Sequence, residues 1–331
     1  MSASAGNPRA VRISVVIPCH NGAEFLTEAL DSVAAQTRAP DEVVVVDDAS
    51  TDGSAALARA WGATVVRLEA HRGEGAARNA GLRAAAHPFV AWLDADDRWR
   101  PRHLEVVAGL LASSPDAVAA FGGAVRFGGR AGAVPGYVPP GPPVRLLETA
   151  FSTWLQTTIT CVLRRDPVLA LGGFAEDEQA SVDFDLWLRL AAEHSFVATD
   201  EVTAEWRAHA GQQSAHLGAQ LAATYRFRRR FLDSRRATDP ELVRRLEARL
   251  VQVWRRDVSR AALAGEREVA RQVLAAAPLV PKLRLRDRIV WPVLTRTPPQ
   301  LAAAVLRARP GALAGAQPVR RGARTDARTD E

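Results

Sequence analysis

The chain has 331 residues, of which 47% are hydrophobic and 24% are charged, with a net charge of +6. This composition indicates a globular protein with one large α/β domain and an appendage, or with two domains. Its two cysteines, Cys19 and Cys161, exclude a disulfide framework and an all-cysteine metal site, and they indicate thiols in a reducing compartment. The N-terminus has no apolar signal core, and no run reaches about 18 uncharged apolar residues, so we expect a cytoplasmic protein that does not span a membrane.

Charge is distributed unevenly along the chain. Residues 1–218 carry 18 basic and 26 acidic groups, a net charge of −8, whereas residues 219–331 carry 25 basic and 11 acidic groups, a net charge of +14. The basic C-terminal third favours peripheral docking on an anionic membrane surface, with ordinary solvated surface as the alternative. Nucleic acid is not expected as a partner, because this segment has neither interleaved aromatic residues nor a nucleic-acid-binding motif.

The first hundred residues alternate strand-like apolar runs with helical patterns. The predicted strands cover residues 13–17, 43–46, 64–66 and 89–93, and the predicted helices cover residues 24–35, 54–60 and 75–86. This alternation predicts an α/β fold with a mostly parallel sheet flanked by helices, whose right-handed crossovers bring the strand ends to one edge. Polar clusters begin at Pro18, Asp47 and Asp94, at the ends of three predicted strands, where open α/β sheets bind ligands.

The middle of the chain has a different residue composition. A helix is predicted from Pro101 to about Ala112, followed by an apolar segment at residues 117–121. Residues 122–143 are rich in Gly and Pro, which predicts a loop or hairpin excursion with no fixed regular structure. Further ordered segments are predicted at residues 151–164, in a helix at 183–193 and in a short strand at 196–199.

From about Gly218 the pattern is helical and amphipathic. Asp239 and Pro240 form a helix start signal, with Asp as the N-cap and Pro at the first helical position. The region after Pro281 favours a membrane-surface helix or a strap packed on the body. We expect residues 311–331 to be a disordered tail.

Three carboxylates, Asp94, Asp96 and Asp97, end the predicted strand at residues 89–93. Carboxylate oxygens suit hard cations such as Mg²⁺ or Mn²⁺, which proteins hold through one or two carboxylates together with substrate phosphates. On its own this short pattern is more often a solvated acidic turn. Its place beside the other polar strand ends favours a site for a metal and a diphosphate.

Five blocks of this chain resemble, in the same order, the sequence blocks of family 2 glycosyltransferases. They lie at residues 14–21, 45–53, 77–81, 93–97 and 183–187. The resemblance covers about residues 11–210 and implies a GT-A fold, a nucleotide-sugar donor, a divalent metal and inversion at the anomeric carbon. The expected domains are a glycosyltransferase domain at 11–215, with a Rossmann-like nucleotide-binding half (11–100) and an acceptor half (101–215), and a basic helical appendage at 219–310.

The resemblance implies roles for residues at the strand ends. Asp48 would accept a hydrogen bond from the nucleotide base. His20 stands where the family often has Tyr, and because a histidine ring changes its charge at about pH 6.5, stacking of the base on it would be sensitive to pH. Gly75 and Arg78 belong to a Gly-rich helix entry that carries a cation, where a loop can approach a phosphate closely; a plain structural turn is the alternative. The predicted nucleotide-sugar set is Pro18, His20, Asn21, Asp48, Gly75, Arg78 and Asp94.

By the same resemblance Asp96 is the principal metal ligand, and Asp94 contacts the ribose or the metal. A bound Mg²⁺ or Mn²⁺ would neutralise the charge that develops on the departing nucleoside diphosphate. Residues 206–209 resemble a late Tyr-Arg-x-His segment of the family, in which Arg207 contacts the diphosphate and His209 caps or ligates the metal; surface residues without this role are the alternative. Asp97 is interpreted as a supporting acid or a helix cap.

Inverting sugar transfer needs a general base that takes the proton of the acceptor hydroxyl. Asp183 is the candidate, because it aligns with the family's Glu-Asp pair ahead of an aromatic-Asp-Leu-Trp run. Val182 stands in place of the Glu of that pair. The alternative interpretation is that Asp183 and Ser181 only cap the following helix.

Together these features lead us to expect an inverting, metal-dependent glycosyltransferase of the hexosyl type. Its donor would be a nucleoside-diphosphate sugar, and its acceptor a hydroxyl of a surface glycan or of a lipid-linked saccharide. The alternative is a non-catalytic nucleotide-sugar binding or scaffold protein. Such a protein would be a degenerate relative of the family, in which the valine at position 182 reflects the loss of catalytic activity.

Overall fold

The first half of the central sheet is parallel, and its middle strands are apolar runs because the crossover helices cover both faces. The computed structural model describes residues 11–129, 132–134, 136–209, 216–281 and 283–298. Strands β1 (Ile13–Cys19), β2 (Glu42–Asp47), β3 (Thr64–Arg67) and β4 (Phe89–Trp92) lie in the order β3-β2-β1-β4. They are connected by helices α1 (Leu26–Ala34), α2 (Ser54–Trp61) and α3 (Glu74–Ala84). The predicted βαβ arrangement is confirmed, with element ends shifted by one or two residues.

The second half of the sheet is mixed. It is built from β5 (Arg98–Trp99), β6 (Ala117–Phe127), β7 (Gly132–Val134), β8 (Cys161–Arg164) and β9 (Ser195–Arg207). Strand β8 is antiparallel to both β4 and β6, and β9 runs parallel to β6 and antiparallel to β5. Within the described ranges the sheet has nine strands in the order β3-β2-β1-β4-β8-β6-β9-β5, with β7 paired to β6. The pairing of β5 with β9 brings the acidic residues after β4 to the carboxyl end of β9.

Strands β6 and β9 are longer than the sequence predicts. The predicted hairpin excursion within residues 122–143 is confirmed at its start, where β6 continues to Phe127 and pairs with β7. The expectation that this part has no regular structure is wrong. A Cβ on Gly122 would lie 2.0 Å from Thr203 Oγ1 of β9, so this glycine permits close strand packing. The predicted strand at 196–199 extends to Arg207, because residues 199–201 form an irregularity opposite Gly122 rather than an end.

Helices cover both faces of the sheet. Those that follow β5 in this part of the chain are α4 (His103–Ser113), α5 (Leu147–Ser152), α6 (Arg165–Ala170), α7 (Val182–Glu193) and α8 (Leu217–Arg235). One hydrophobic core joins α1 and α4 to the face of β1 that carries Ile13, Val15 and Ile17. Helix α3 packs on the opposite face, against Val16 and Val46.

The chain divides into two compact units between residues 246 and 247, within helix α9 (Pro240–Ala264). The predicted helix start is confirmed, since the Leu242 N–H donates to Asp239 Oδ1 at 2.9 Å. The second unit also contains α10 (Arg267–Ala275) and α11 (Leu285–Leu294). Its core includes Trp254, which donates its indole N–H to the Val273 carbonyl at 2.9 Å.

A search of the described helices finds no segment both long enough and apolar enough to cross a membrane. Cys19 and Cys161 are buried and free, in agreement with the expectation of thiols. The predicted disordered tail at residues 311–331 lies outside the described residues.

Gly81 is the position at which α3 approaches the sheet closely. A Cβ there would lie 2.2 Å from Val16 Cγ1 and 3.1 Å from Val46 Cγ2, whereas a Cβ on Gly109 of α4 would meet nothing within 4 Å. We expect Gly81→Ala to lower the free energy of unfolding by about 1–3 kcal/mol through overpacking. Gly109→Ala, the matched control, should leave it unchanged or raise it by up to about 1 kcal/mol, because alanine is the better helix former.

Guanidinium chloride unfolding followed by circular dichroism measures both variants. Equal stabilities for the two alanine variants would contradict the close packing of α3 on the sheet.

Candidate active site

The loops after β1 and β2 are joined by hydrogen bonds at one edge of the sheet. Asn21 has a left-handed backbone conformation, with φ of 51°. Its N–H donates to Ser50 Oγ and its Oδ1 accepts the N–H of Thr51, both at 2.9 Å. Pro18 lies in β1 beside Val46 of β2. The predicted first and second polar clusters therefore meet, and Asn21 shapes the rim that they form.

Asp48 binds the loop that leads into α3. Its Oδ1 accepts the Arg72 N–H at 2.8 Å, and its Oδ2 accepts the Gly73 N–H at 2.8 Å. His71 Nδ1 lies 2.9 Å from the same Oδ2. A carboxylate offers about four acceptor positions, so one remains for a further donor. The buried Asp48 therefore has capacity for a single N–H of a ligand, beyond its role in holding this loop.

Two histidines contact each other beside Asp48, with their rings tilted by 32°. His20 Nδ1 donates to the backbone carbonyl of Asp48 at 2.6 Å, and the His20 and His71 ring centroids are 3.9 Å apart. Both side chains are exposed at the rim. His71 was missed by the sequence analysis, because no local pattern marks a histidine that reaches a strand end more than 20 residues earlier.

The entry to α3 is closely packed against a later loop. Gly73 has a positive φ of 88°, which favours glycine. A Cβ on Gly75 would lie 2.1 Å from the Ala175 carbonyl oxygen. On this side the close approach that Gly75 permits is thus made by the chain's own backbone, which supports a structural role for this glycine, the alternative given above.

Arg78 is a buried cation between carboxylates. Its Nη1 pairs with Glu74, and its Nη2 lies 2.8 Å from Asp94 Oδ1. The side chain is only 2% exposed, and the guanidinium carbon lies 5.4 Å from the centre of the Phe174 ring. Burial opposes the charge, but the neighbouring carboxylates outweigh it and raise the pKa of Arg78. Arg78 thus stays charged and ties α3 to the end of β4.

Glu74 was also missed by the sequence analysis, which assigned only the glycines and the arginine of this helix entry. Burial raises the pKa of Glu74 to about 7, while Arg78 acts in the opposite direction. The charges of Asp94 and Asp183 add to the rise. Glu74 therefore belongs to the same electrostatic cluster as the predicted site residues.

The acidic strand end is bound to the end of β9. Asp96 Oδ2 lies 2.9 Å from His209 Nε2, and the Arg207 Nε–H donates to the Asp96 carbonyl at 2.7 Å. Asp97 accepts the Arg207 N–H through Oδ1 at 2.7 Å. Burial, reinforced by the charges of Asp94 and Asp96, raises the pKa of Asp97 well above its usual range. Asp97 thus ties this strand end to the end of β9.

Arg207 takes part in structural contacts. Its guanidinium pairs with Glu28 and lies over the rings of Phe25 and Phe127, at 4.8 and 4.3 Å from their centres. The side chain is 14% exposed. The expectation that Arg207 contacts a diphosphate is therefore not met by its position, because these partners hold it between β9 and α1.

Asp96 and His209 form a pair that suits a hard cation. No cluster of three or more His, Cys, Asp or Glu side chains with metal-binding geometry occurs among the residues that the structure describes. The two side chains are 32% and 27% exposed, and Asp94, two residues before, is 30% exposed. Since Mg²⁺ is commonly held by one or two carboxylates together with substrate phosphates, the Asp96 carboxylate, with Asp94 two residues before it, fits a metal that arrives with a diphosphate.

Asp183 lies in the first turn of α7. Its Oδ1 accepts the N–H of Phe184 at 2.8 Å, and the preceding Ser181 makes no side-chain cap. Burial raises the pKa of Asp183, Arg78 opposes this rise and Asp94 adds to it. A carboxylate with a raised pKa is the stronger base, so its surroundings suit proton abstraction.

The sequence model described as glycosyl transferase family 2 matches residues 14–170. Residues 14–170 belong to glycosyl transferase family 2. This region carries four of the five blocks on which the resemblance was based, and it ends before Asp183.

Curated relatives of this family 2 domain match a shorter stretch. An uncharacterized glycosyltransferase of Nostoc sp. is 39% identical over 109 residues, covering 31% of this chain and 34% of that protein. The succinoglycan biosynthesis protein ExoO of Rhizobium meliloti is 43% identical over 95 residues, covering 28% and 27%. The putative teichuronic acid biosynthesis glycosyltransferase TuaG of Bacillus subtilis is 35% identical over 98 residues, covering 28% and 39%. The chain thus spans about a third of the length of these relatives.

Solved structures share the fold over most of the chain. Residues 1–349 of S. aureus TarS, in complex with UDP-GlcNAc, superpose with a TM-score of 0.66 at 22% identity, over 89% of this chain and 88% of that chain. The mannosyltransferase PcManGT of Pyrobaculum calidifontis, in complex with GDP-Man and Mn²⁺, gives a TM-score of 0.55 at 22% identity, over 92% and 89%. The predicted GT-A fold is confirmed.

Val182, which stands where the resemblance leads one to expect a Glu, lies beyond the residues that the family model matches. Val182 is buried, and its Cγ1 would lie 3.6 Å from a Cβ on Gly75. The valine is therefore a packing residue between α7 and α3, in a place where the resemblance leads one to expect a carboxylate.

Proposed function

We propose that the protein is an inverting glycosyltransferase that moves a sugar from a nucleoside-diphosphate sugar to an acceptor hydroxyl. The observation that carries this proposal is the meeting of Arg78, Asp94 and Asp183 with the Asp96–His209 pair at the edge of a GT-A sheet. Neighbouring structures in complex with UDP-GlcNAc or GDP-Man support this donor class. Relatives named for succinoglycan and teichuronic acid biosynthesis support a glycan or lipid-linked acceptor in surface polysaccharide synthesis.

The donor would lie along the rim, with its base toward β1 and β2. The remaining acceptor position of Asp48 would receive an N–H of the base, whose ring would lie near His20, Asn21 and Pro18. The backbone N–H groups at the start of α3, including that of Gly75, would face the negatively charged part of the donor, because helix N-termini favour anions. Arg78 would hold Asp94 in place, so that its carboxylate can accept a hydrogen bond from a ribose hydroxyl.

The diphosphate would lie near Asp96 and His209, which would hold Mg²⁺ or Mn²⁺ together with phosphate oxygens. The ion would stabilise the charge that develops on the leaving nucleoside diphosphate. Asp183, on the opposite side of the sugar, would take the proton of the acceptor hydroxyl as that oxygen attacks the anomeric carbon. This attack from the far side gives inversion.

Substitution of the two acids separates donor binding from transfer. We expect Asp96→Asn to weaken Mn²⁺-dependent nucleotide binding at least about tenfold, because a metal ligand is lost. Asp183→Asn should leave the nucleotide Kd within about twofold and lower kcat by about 10²- to 10⁴-fold, because the general base is lost. Calorimetry with UDP and GDP, and transfer or hydrolysis assays with a nucleotide-sugar panel, measure these effects.

Asp31→Asn, which replaces an exposed acid of α1, is the control and should behave as wild type. Absence of nucleotide binding with and without metal would contradict the proposal. Nucleotide binding by the wild-type protein without turnover of any donor would favour a scaffold function, in which Val182 marks lost chemistry.

We also propose an anionic membrane surface as a partner of the second unit. Helix α11 exposes Ile289 and Val293, at 57% and 61%, and their i, i+4 spacing places them on one side of the helix. The sequence around them, residues 282–296, has five basic residues and one acid. Apolar side chains flanked by basic residues suit insertion among anionic lipid headgroups.

Replacing both exposed residues, in Ile289→Ser/Val293→Ser, should reduce binding to phosphatidylglycerol vesicles by at least about tenfold, because burial of such side chains contributes ~1.5–3 kcal/mol each. Leu263→Ser, at an exposed leucine of α9, is the control and should bind as wild type. Co-sedimentation at low salt measures the binding. Equal binding to neutral vesicles, or salt-sensitive DNA binding without vesicle binding, would contradict this partner.

A further inference from the structure

Glu74 is a carboxylate of the site for which the mechanism above has no role. It is the first residue of α3, and it pairs with Arg78 one turn later. Its side chain is 27% exposed. At a helix N-terminus the backbone dipoles favour a negative charge, so the start of α3 suits a carboxylate.

The first turns of α3 and α7 are packed together. Val182 is buried and lies within contact distance of the position that a Gly75 side chain would take. Glu74 and Asp183 are the direct sequence neighbours of these two residues, and the Asp183 charge acts on both Glu74 and Arg78. The start of α3, which carries Glu74, thus lies against the start of α7, which carries Val182 and Asp183.

Arg78 links this carboxylate to the candidate base. Its guanidinium shares its charge between Glu74 and Asp94, and it also attracts Asp183. A buried guanidinium that lost one of its two carboxylate partners would bind the remaining acids more strongly. Its stronger attraction for Asp183 would make that carboxylate a weaker base.

We propose that Glu74 supplies, from α3, the carboxylate that position 182 lacks in this chain. Glu74 is then a positioning residue, which holds Arg78 beside Asp94 and away from Asp183. The inference rests on the proposed function, because the role of Asp183 as base belongs to that proposal. It accounts for a valine at position 182 in a site that keeps the rest of its charged groups.

Moving the carboxylate between the two helices tests this inference. Glu74→Gln should lower kcat at least tenfold with the nucleotide Kd within threefold, and it should lower the melting temperature. The double variant Glu74→Gln/Val182→Glu should recover kcat to within about threefold of wild type and regain most of the melting temperature. Val182→Glu alone adds a carboxylate to an acidic site and should lower both kcat and the melting temperature. Glu69→Gln, at an exposed acid ahead of α3, is the control and should match wild type.

Wild-type kcat and melting temperature in Glu74→Gln would overturn the inference. So would a double variant that recovers neither property. A wild-type protein without turnover would count against the proposed function, and the melting temperatures would then decide whether the carboxylate at 182 replaces that of Glu74. Recovery of stability in the double variant supports the inference in that case, and its absence overturns it.

Discussion

The site depends on the ion pairs of the buried Arg78 with Glu74 and Asp94. Several carboxylates lie at this edge of the sheet, and without a cation among them their mutual repulsion would oppose the fold. A buried guanidinium is stable only when its charge is paired. Arg78, at 2% exposure, pairs through Nη1 with Glu74 and through Nη2 with Asp94, and it thereby joins the first turn of α3 to the end of β4. The same contacts fix Asp94 next to the exposed Asp96.

Other buried carboxylates hold backbone N–H groups and leave the exposed ones for a ligand. Asp48 binds the N–H groups of Arg72 and Gly73, and Asp97 binds that of Arg207. Each bond closes a loop around the edge of the sheet, because buried polar groups need partners. Asp94 and Asp96 are about one third exposed and lie at the surface of this edge. The buried acids therefore hold the loops of the site, and Asp48 would in addition accept an N–H of the donor's base, whereas Asp94 and Asp96 would face the rest of the donor.

The sequence predicts the parts of this molecule whose determinants are local. The valine runs of β1 and β2 and the start of α9 at Asp239 are visible in the residues themselves, and the structure confirms them. The roles of Arg207 and Glu74 depend on contacts across folded elements, and sequence spacing does not specify them. Gly122 was taken for a loop residue, because glycine's role in close strand packing is apparent only beside Thr203.

We propose that a nucleotide sugar and a divalent metal bind together at this edge, between Asp48 and the Asp96–His209 pair. The decisive experiment is a crystal structure of the protein with UDP or GDP and Mn²⁺, with anomalous data collected at the manganese edge. We expect one manganese peak bound by Asp96 and the diphosphate, with the base beside Asp48 and His20. A manganese peak away from Asp96, or a nucleotide bound elsewhere on the chain, would contradict it.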